Sequence, residues 1–325
     1  MRNLSWLVSI LLIIAPAWAH WDFLLGIRNG RAAVILPHPH PLQSMSLIFG
    51  QYTRELGIEY YIAENGLSQL TAATVQTVWV SPGLTGRIGS VDVVCRAGCA
   101  NAFAMNEDGH EHIRFRAAQP GIYIWDLRVV NARDLSGNPV PDMAGVYRIY
   151  LRAGNPNYLY GGVSAPSYQG DLYPLNLTLQ VRQGSQPVQT VSLPPATNAL
   201  YAYMASVGVS GAHTVVAKLD KHLSRRVDNL NLSGAVQVNW AFPVAGDVNN
   251  DDTIDDADLL AVLFAFGGQG YRNEDLNWDG TIDDADLLQV LFNFGSGDAA
   301  SDTNGDGTVD DADLLTVLFN FGQSV

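Results

Sequence analysis

One phrase written three times near the carboxyl end constrains this chain more than any other feature. It reads GDVNNDDTIDDADLLAVLFAFG from Gly246, DLNWDGTIDDADLLQVLFNFG from Asp275 and DTNGDGTVDDADLLTVLFNFG from Asp302. Each copy opens with oxygen-bearing side chains at offsets 1, 3, 5, 9 and 12, then becomes apolar. The first set is Asp247, Asn249, Asp251, Asp255 and Asp258; the second is Asp275, Asn277, Asp279, Asp283 and Asp286. The third is Asp302, Asn304, Asp306, Asp310 and Asp313. At offset 7, Thr253, Thr281 and Thr308 are placed to offer a backbone carbonyl. Oxygen donors in this order suit calcium, a hard cation that collects six to eight oxygens at roughly 2.3–2.6 Å. An acidic, solvated linker would not repeat in phase, so the spacing predicts up to three calcium ions.

The rest of each loop obeys the same logic. Ile254, Ile282 and Val309 at offset 8 should turn inward. Offset 6 calls for a left-handed backbone, which Gly280 and Gly307 adopt freely. Asp252 stands there in the first copy at a cost on the order of 1 kcal/mol, which makes the first site the weakest of the three. Four carboxylates in twelve residues repel one another, so ion binding should couple to folding. A helix begins near each Asp-Asp-Ala-Asp, whose negative charges favour the positive end of the helix dipole. Leu259, Val262, Leu263 and Phe266 share one face at helical spacing. Leu287, Val290, Leu291 and Phe294 repeat that face, as do Leu314, Val317, Leu318 and Phe321. Gly267, Gly295 and Gly322 end the helices. One such helix cannot bury its face alone, so the three are expected to pack together.

These repeats resemble type I dockerin repeats, each an EF-hand-like calcium loop with Asp at offset 12 followed by one helix. Two departures stand out. Dockerins usually carry two copies and this chain has three. Where dockerins present their partner-reading residues, at offsets 10 and 11, this chain has Asp256-Ala257, Asp284-Ala285 and Asp311-Ala312. The resemblance therefore implies calcium binding more strongly than it implies a cohesin partner.

At the other end, residues 1–19 read as a secretory signal peptide: Arg2, an apolar run from Leu4 to Ala15, then Ala17-Trp18-Ala19 before His20. The run is short for a membrane span, and no later stretch is apolar enough to be one. A secreted or cell-surface location is expected. The formal net charge is −14. Of 32 acidic residues, 18 lie from Gly246 onward beside a single basic one, Arg272. The acidity thus belongs to the loops and argues against a nucleic-acid partner. In an exported protein the two cysteines, Cys95 and Cys99, read as a short disulfide-closed loop.

Between these ends the pattern is β. Residues 20–153 hold short runs rich in Val, Ile, Tyr and Trp, punctuated by Gly, Pro and Asn, as in a β-sandwich. Residues 165–243 form a second such module, with Leu175 to Arg182 alternating, a turn at Gln183 to Pro187, and a return from Val188. The Gly/Pro/Tyr-rich stretch between them, around Tyr158 to Tyr173, reads as a linker. Lys218, Lys221, His222, Arg225 and Arg226 read as a solvated basic edge. The fold class is mainly β: two β-sandwich domains followed by a small all-α calcium-binding domain over residues 246–325. Gly109-His110-Glu111-His112-Ile113-Arg114-Phe115, followed by Pro120-Gly121-Ile122-Tyr123, resembles a segment of bacterial surface-anchored proteins (the choice-of-anchor M type). The LxVRQGxxxVxTVxL string from Leu179 resembles prealbumin-like, carboxypeptidase-regulatory-like modules of secreted bacterial proteins. Both resemblances imply an extracellular module rather than a reaction.

Two histidine readings stay open. His110 and His112 alternate on a strand and so share a face, and His38-Pro39-His40 offers two more rings from an extended segment. Imidazoles suit zinc or copper, which makes a periplasmic or surface zinc-binding protein one alternative. Cleavage after Ala19 would leave His20 at the amino terminus. That arrangement resembles the copper brace of lytic polysaccharide monooxygenases, with His110 or His112 as second ligand and Tyr123 nearby, and makes a copper-dependent polysaccharide monooxygenase the other. No nucleophile elbow, P-loop, zincin helix or dinucleotide fingerprint occurs. The expectation is a non-catalytic secreted or cell-surface protein with a calcium-stabilised tail, acting as an extracellular assembly, adhesion or binding component. Its partner is a protein that meets that tail or a cell-surface polysaccharide.

Overall fold

The computed structural model describes residues 22–37, 42–63, 65–168, 170–196, 201–293. Over these residues the protein is mainly β, with two α-helices near the carboxyl end. The third repeat, including Asp302, Asn304, Asp306, Thr308, Asp310 and Asp313, lies outside the described residues, as do His20, His38 and His40.

The first half folds around a core that includes Phe23, Leu25, Ile58, Phe115, Trp125, Leu127 and Leu151. One wall holds the antiparallel strands Val91–Val94, Leu84–Ile88, His110–Ala117 and Gln51–Tyr60 in that order. The other holds Tyr147–Ala153, Gly121–Arg133, Ala72–Val80 and Ala102–Ala104. The strand Leu42–Ile48 joins them. Its first residues pair parallel with Tyr150 to Ala153, and its last pair antiparallel with Gln51 to Thr53. A strand that changes sheets in this way closes the corner of a sandwich.

The long strand Gly121–Arg133 is buried on both faces over its first half. Tyr123, Trp125, Leu127 and Val129 enter the first core, while Ile122 and Ile124 enter a second one with Leu177, Leu179, Tyr203, Leu219 and Trp240. Successive side chains point to opposite faces of a strand, so one strand serves both cores. Between the cores lies a fully buried ion pair: Arg148 donates to both oxygens of Asp126 at 2.7 and 2.6 Å and to the Ala202 carbonyl at 2.9 Å. Tyr173 donates to the same carboxylate at 2.9 Å. Burial works against the charge of Arg148, but the Asp126 partner holds its guanidinium above the ordinary value.

The second half contains a four-stranded sheet, ordered Gln186–Leu193, Leu177–Gln183, Gly211–Leu219, Arg225–Leu232. A three-stranded sheet of Tyr203–Val207, Asn157–Gly161 and Ala235–Gln237 completes the module. The stretch read as a linker is therefore part of the fold. Asn157–Gly161 is a central strand and Tyr168 is buried in the second core. Glycine and proline density suggested a connection, but aromatic side chains at Tyr158, Tyr160 and Tyr168 have a core to fill.

Beyond Val244 a third core forms from Val248, Ile254, Leu259, Val262, Leu276, Ile282, Val290 and Leu291. Helix α1, Asp256–Ala265, and helix α2, Asp284–Asn293, each follow one repeat loop. Leu259 and Val262 are buried as the helical spacing requires, but Phe266 is half exposed and Phe264 stands almost wholly in solvent.

Candidate metal centres

The two described loops share nearly the same hydrogen bonds. The carboxylate at offset 12 ties loop entry to loop exit. Asp258 Oδ1 accepts from the N–H groups of Val248 at 2.7 Å and Asn249 at 3.1 Å, and Oδ2 accepts from Asp255 at 3.0 Å. Asp286 Oδ1 accepts from Leu276 at 2.6 Å and Asn277 at 3.1 Å, and Oδ2 from Asp283 at 3.0 Å. At offset 9, Asp255 and Asp283 accept from Ala257 and Ala285, both at 2.9 Å, and so cap the helices. At offset 5, Asp251 and Asp279 accept from the N–H groups of Thr253 and Thr281, both at 2.9 Å. At offset 1, Asp247 and Asp275 each accept from the residue at offset 6, Asp252 at 2.9 Å and Gly280 at 3.0 Å. Asn249 and Asn277 at offset 3 accept from Asp251 and Asp279, both at 2.9 Å.

The backbone agrees with the side chains. Asn250 and Trp278 at offset 4 have φ of 63° and 62°. Asp252 and Gly280 at offset 6 have φ of 74° and 93°. Asp252 thus takes the left-handed conformation that its place in the phrase demands, and that glycine would take without strain.

Asp247, Asp258, Asp275 and Asp286 are fully buried, and Asp247 Oδ1 has no hydrogen-bond partner. Burial pushes the Asp247 carboxyl up against the pull of Lys218, and pushes Asp275 up against its backbone donors. These donors fit calcium in kind and order: carboxylates and an amide at alternate positions, with an unpartnered buried oxygen at the first. Among the described residues no three His, Cys, Asp or Glu side chains are already gathered into a metal-holding group. Most of the loop oxygens are turned to loop N–H groups, and ligation requires them to re-aim.

Two lysines placed on the basic edge by sequence reasoning belong to these loops instead. The short strand Lys221–His222 pairs with Ala245–Asp247 and brings the second module against the first loop. Lys218 reaches Asp247 Oδ2 in a close ion pair and Asp252 Oδ1 at 3.3 Å. Asp252 also accepts from Ser224 N–H at 2.7 Å; burial alone would raise its carboxyl, but these partners hold it below the usual value. Lys221 is buried. Its Nζ donates to the carbonyls of Arg272 at 2.9 Å and Asp275 at 2.8 Å, and it lies 4.7 Å from the centroid of the Trp278 ring. Burial pulls its ammonium down to about 8, despite the raising effect of Asp275 and Asp286. Trp278 stacks on Tyr168 of the second module at 5.6 Å. Neither the lysines nor Trp278 carry a sequence signal for this role, because the partners lie far away in the chain.

The structure also brings His110 and His112 together, with Nε2 atoms 2.7 Å apart. Glu59 and Glu55 face their Nδ1 atoms at 3.8 and 3.3 Å. Tyr123 is buried in the first core and donates to the Gln119 carbonyl at 2.9 Å. Cys95 and Cys99 are joined by a disulfide, and the side chain of Asn101 accepts from Cys95 N–H at 3.0 Å.

No protein-family model matches this chain, and a search of curated proteins finds no match. Solved structures give remote likenesses. A chain of a type II cohesin–X-dockerin complex from Acetivibrio cellulolyticus is 20% identical with a TM-score of 0.35, covering 42% of this chain and 95% of that one. The pilus backbone protein of Streptococcus pneumoniae is 12% identical with a TM-score of 0.17, covering 67% of this chain and 92% of that one. Superpositions this loose assign neither an activity nor a partner. No helix among the described residues is long and apolar enough to cross a membrane.

Proposed function

We propose that this protein is a non-catalytic extracellular or cell-surface component whose carboxyl-terminal loops bind calcium and thereby stiffen a docking or spacer element. The observation that carries the reading is the shared wiring of the two described loops around fully buried aspartates, with one carboxylate oxygen of Asp247 left unpartnered. Calcium supplies positive charge beyond the single lysine, Lys218, that pairs with Asp247. The chain supplies the rest. Asp258 and Asp286 hold each loop closed on its helix, Asp255 and Asp283 start the helices, and Ile254 and Ile282 anchor the loops in the third core.

The third phrase, from Asp302, extends the same donor order and brings the proposed number of ions to three. Asp256-Ala257 and Asp284-Ala285 are exposed on the helices, where a protein partner or a cell-surface polysaccharide can reach them. The signal-peptide pattern before His20 and the disulfide support export. Equilibrium dialysis of the secreted protein against calcium, with far-ultraviolet circular dichroism in calcium and in excess EGTA, tests the proposal. Uptake of two to three ions with a chelator-sensitive helical signal is expected. No uptake, or unchanged helicity in chelator, refutes it.

A further inference from the structure

The geometry points to a second, chemically distinct metal site: a late first-row divalent cation, of the zinc or copper type, held in cis by Nε2 of His110 and Nε2 of His112 on the outer face of the first module. The site is independent of the calcium loops. His110 and His112 lie on the strand His110–Ala117, paired with Gln51–Tyr60 so that Glu59 faces His110 and Gly57 faces His112. Gly57 offers no side chain at that register position, which leaves the two rings room to tilt together, with centroids 4.6 Å apart. The turn leading in is rigidly specified. Gly109 has φ of 68°, and a Cβ there would meet the Tyr60 ring at 2.4 Å, so only glycine delivers His110 to this place. Asn106 clamps the same residue by accepting from its N–H at 3.0 Å and donating to its carbonyl at 2.6 Å.

A carboxylate stands behind each ring. His112 Nδ1 faces Glu55 Oε1 at 3.3 Å, and His110 Nδ1 faces Glu59 Oε2 at 3.8 Å, an oxygen that is buried without another hydrogen-bond partner. A carboxylate that accepts from Nδ1–H favours the tautomer whose lone pair is on Nε2. The two Nε2 atoms lie 2.7 Å apart. At that spacing the rings share a hydrogen bond when one carries its proton on Nε2, and they form a near-cis ligand pair when both carry it on Nδ1. Metal–imidazole bonds of about 2.0–2.1 Å set cis nitrogens about 3 Å apart, a small opening of the observed pair. Carboxylates behind ligating imidazoles are the usual second layer of zinc and copper sites, and nitrogen donors exclude calcium and magnesium in favour of late transition metals. Arg114 also binds Glu55, at 2.9 Å, which leaves Glu59 as the dedicated support for His110.

The test uses the full secreted chain saturated with calcium, so that the loops do not compete. Titration with zinc chloride or copper(II) chloride should show one equivalent bound at this site. His110→Ala and His112→Ala should each weaken it more than tenfold, and Glu59→Gln by about tenfold. Electron paramagnetic resonance of the copper form should show two imidazole nitrogens. Equal affinity in the His110→Ala/His112→Ala double variant, with its melting temperature unchanged, overturns the proposal. So does a histidine NMR spectrum of the wild-type protein in which zinc moves neither ring, which would leave only the hydrogen bond between them.

Discussion

Replacing Lys218 by methionine removes the ammonium that holds Asp247 Oδ2 in the first loop while keeping the length and apolar stem of the side chain. Asp247 is fully buried and the Lys218 side chain is 17% exposed, so the pair is screened far less than a surface pair. Two unit charges about 4 Å apart attract by about 4 kcal/mol at an effective dielectric constant near 20. Rehydration of the released ammonium offsets much of that. About 1.4 kcal/mol should remain against any cation that takes over Asp247, which is about tenfold in affinity. Lys218→Met should therefore tighten the weakest stepwise calcium constant about tenfold, as read by isothermal titration of the full chain. In excess EGTA the same substitution should lower the melting temperature, because Asp247 is then buried without a countercharge. Calcium constants unchanged within twofold, in a variant with wild-type circular dichroism, would show that Lys218 does not compete for the loop and refute the reasoning.

Three further outcomes are expected. Lys221→Met loses two charged hydrogen bonds to the carbonyls of Arg272 and Asp275, which should lower stability by about 2–3 kcal/mol and loosen the second loop, read as a fall in melting temperature in saturating calcium. Asp126→Asn leaves the Arg148 guanidinium buried without its anion and removes the charged acceptor of Tyr173; a loss of about 3–5 kcal/mol should appear in chemical denaturation, with a melting shift on the order of 10 °C. Cys95→Ser/Cys99→Ser opens a loop of very few residues, so chain entropy alone assigns it about 2 kcal/mol, measurable as the shift of the denaturation midpoint with unchanged slope.

The strands and the starts of the two described helices were legible in the chain because each rests on short-range chemistry. Alternation from Leu177 to Arg182 became a strand because its partners share the same period of two. The aspartates at offsets 9 and 12 became helix caps and loop clasps because the N–H groups they accept from lie within about ten residues. Asp252 could be assigned a left-handed backbone from its place in the phrase alone, and its φ is positive. Tyr158 to Tyr173 misled for the opposite reason. Local glycine and proline content speaks of turns, whereas the fate of those tyrosines depends on the strands Tyr203–Val207 and Ala235–Gln237 that flank Asn157–Gly161. The half-exposure of Phe266 likewise does not follow from helical spacing, since an apolar face says nothing about which neighbours arrive to cover it.

By itself, the order of residues determined that oxygen donors recur in calcium-loop spacing, that a helix follows each of the two described copies, that His110 and His112 share a face, and that the remainder is β. Tertiary structure alone decided that Lys218 reaches Asp247, that Lys221 and Trp278 lock the second loop to the β module, and that Glu55 and Glu59 stand behind the histidines. The physical reason is distance along the chain. Spacing within a dozen residues is set by backbone geometry, while Lys218 meets Asp247 across 29 residues, and Lys221 meets Asp275 across 54, only after the sheets have packed.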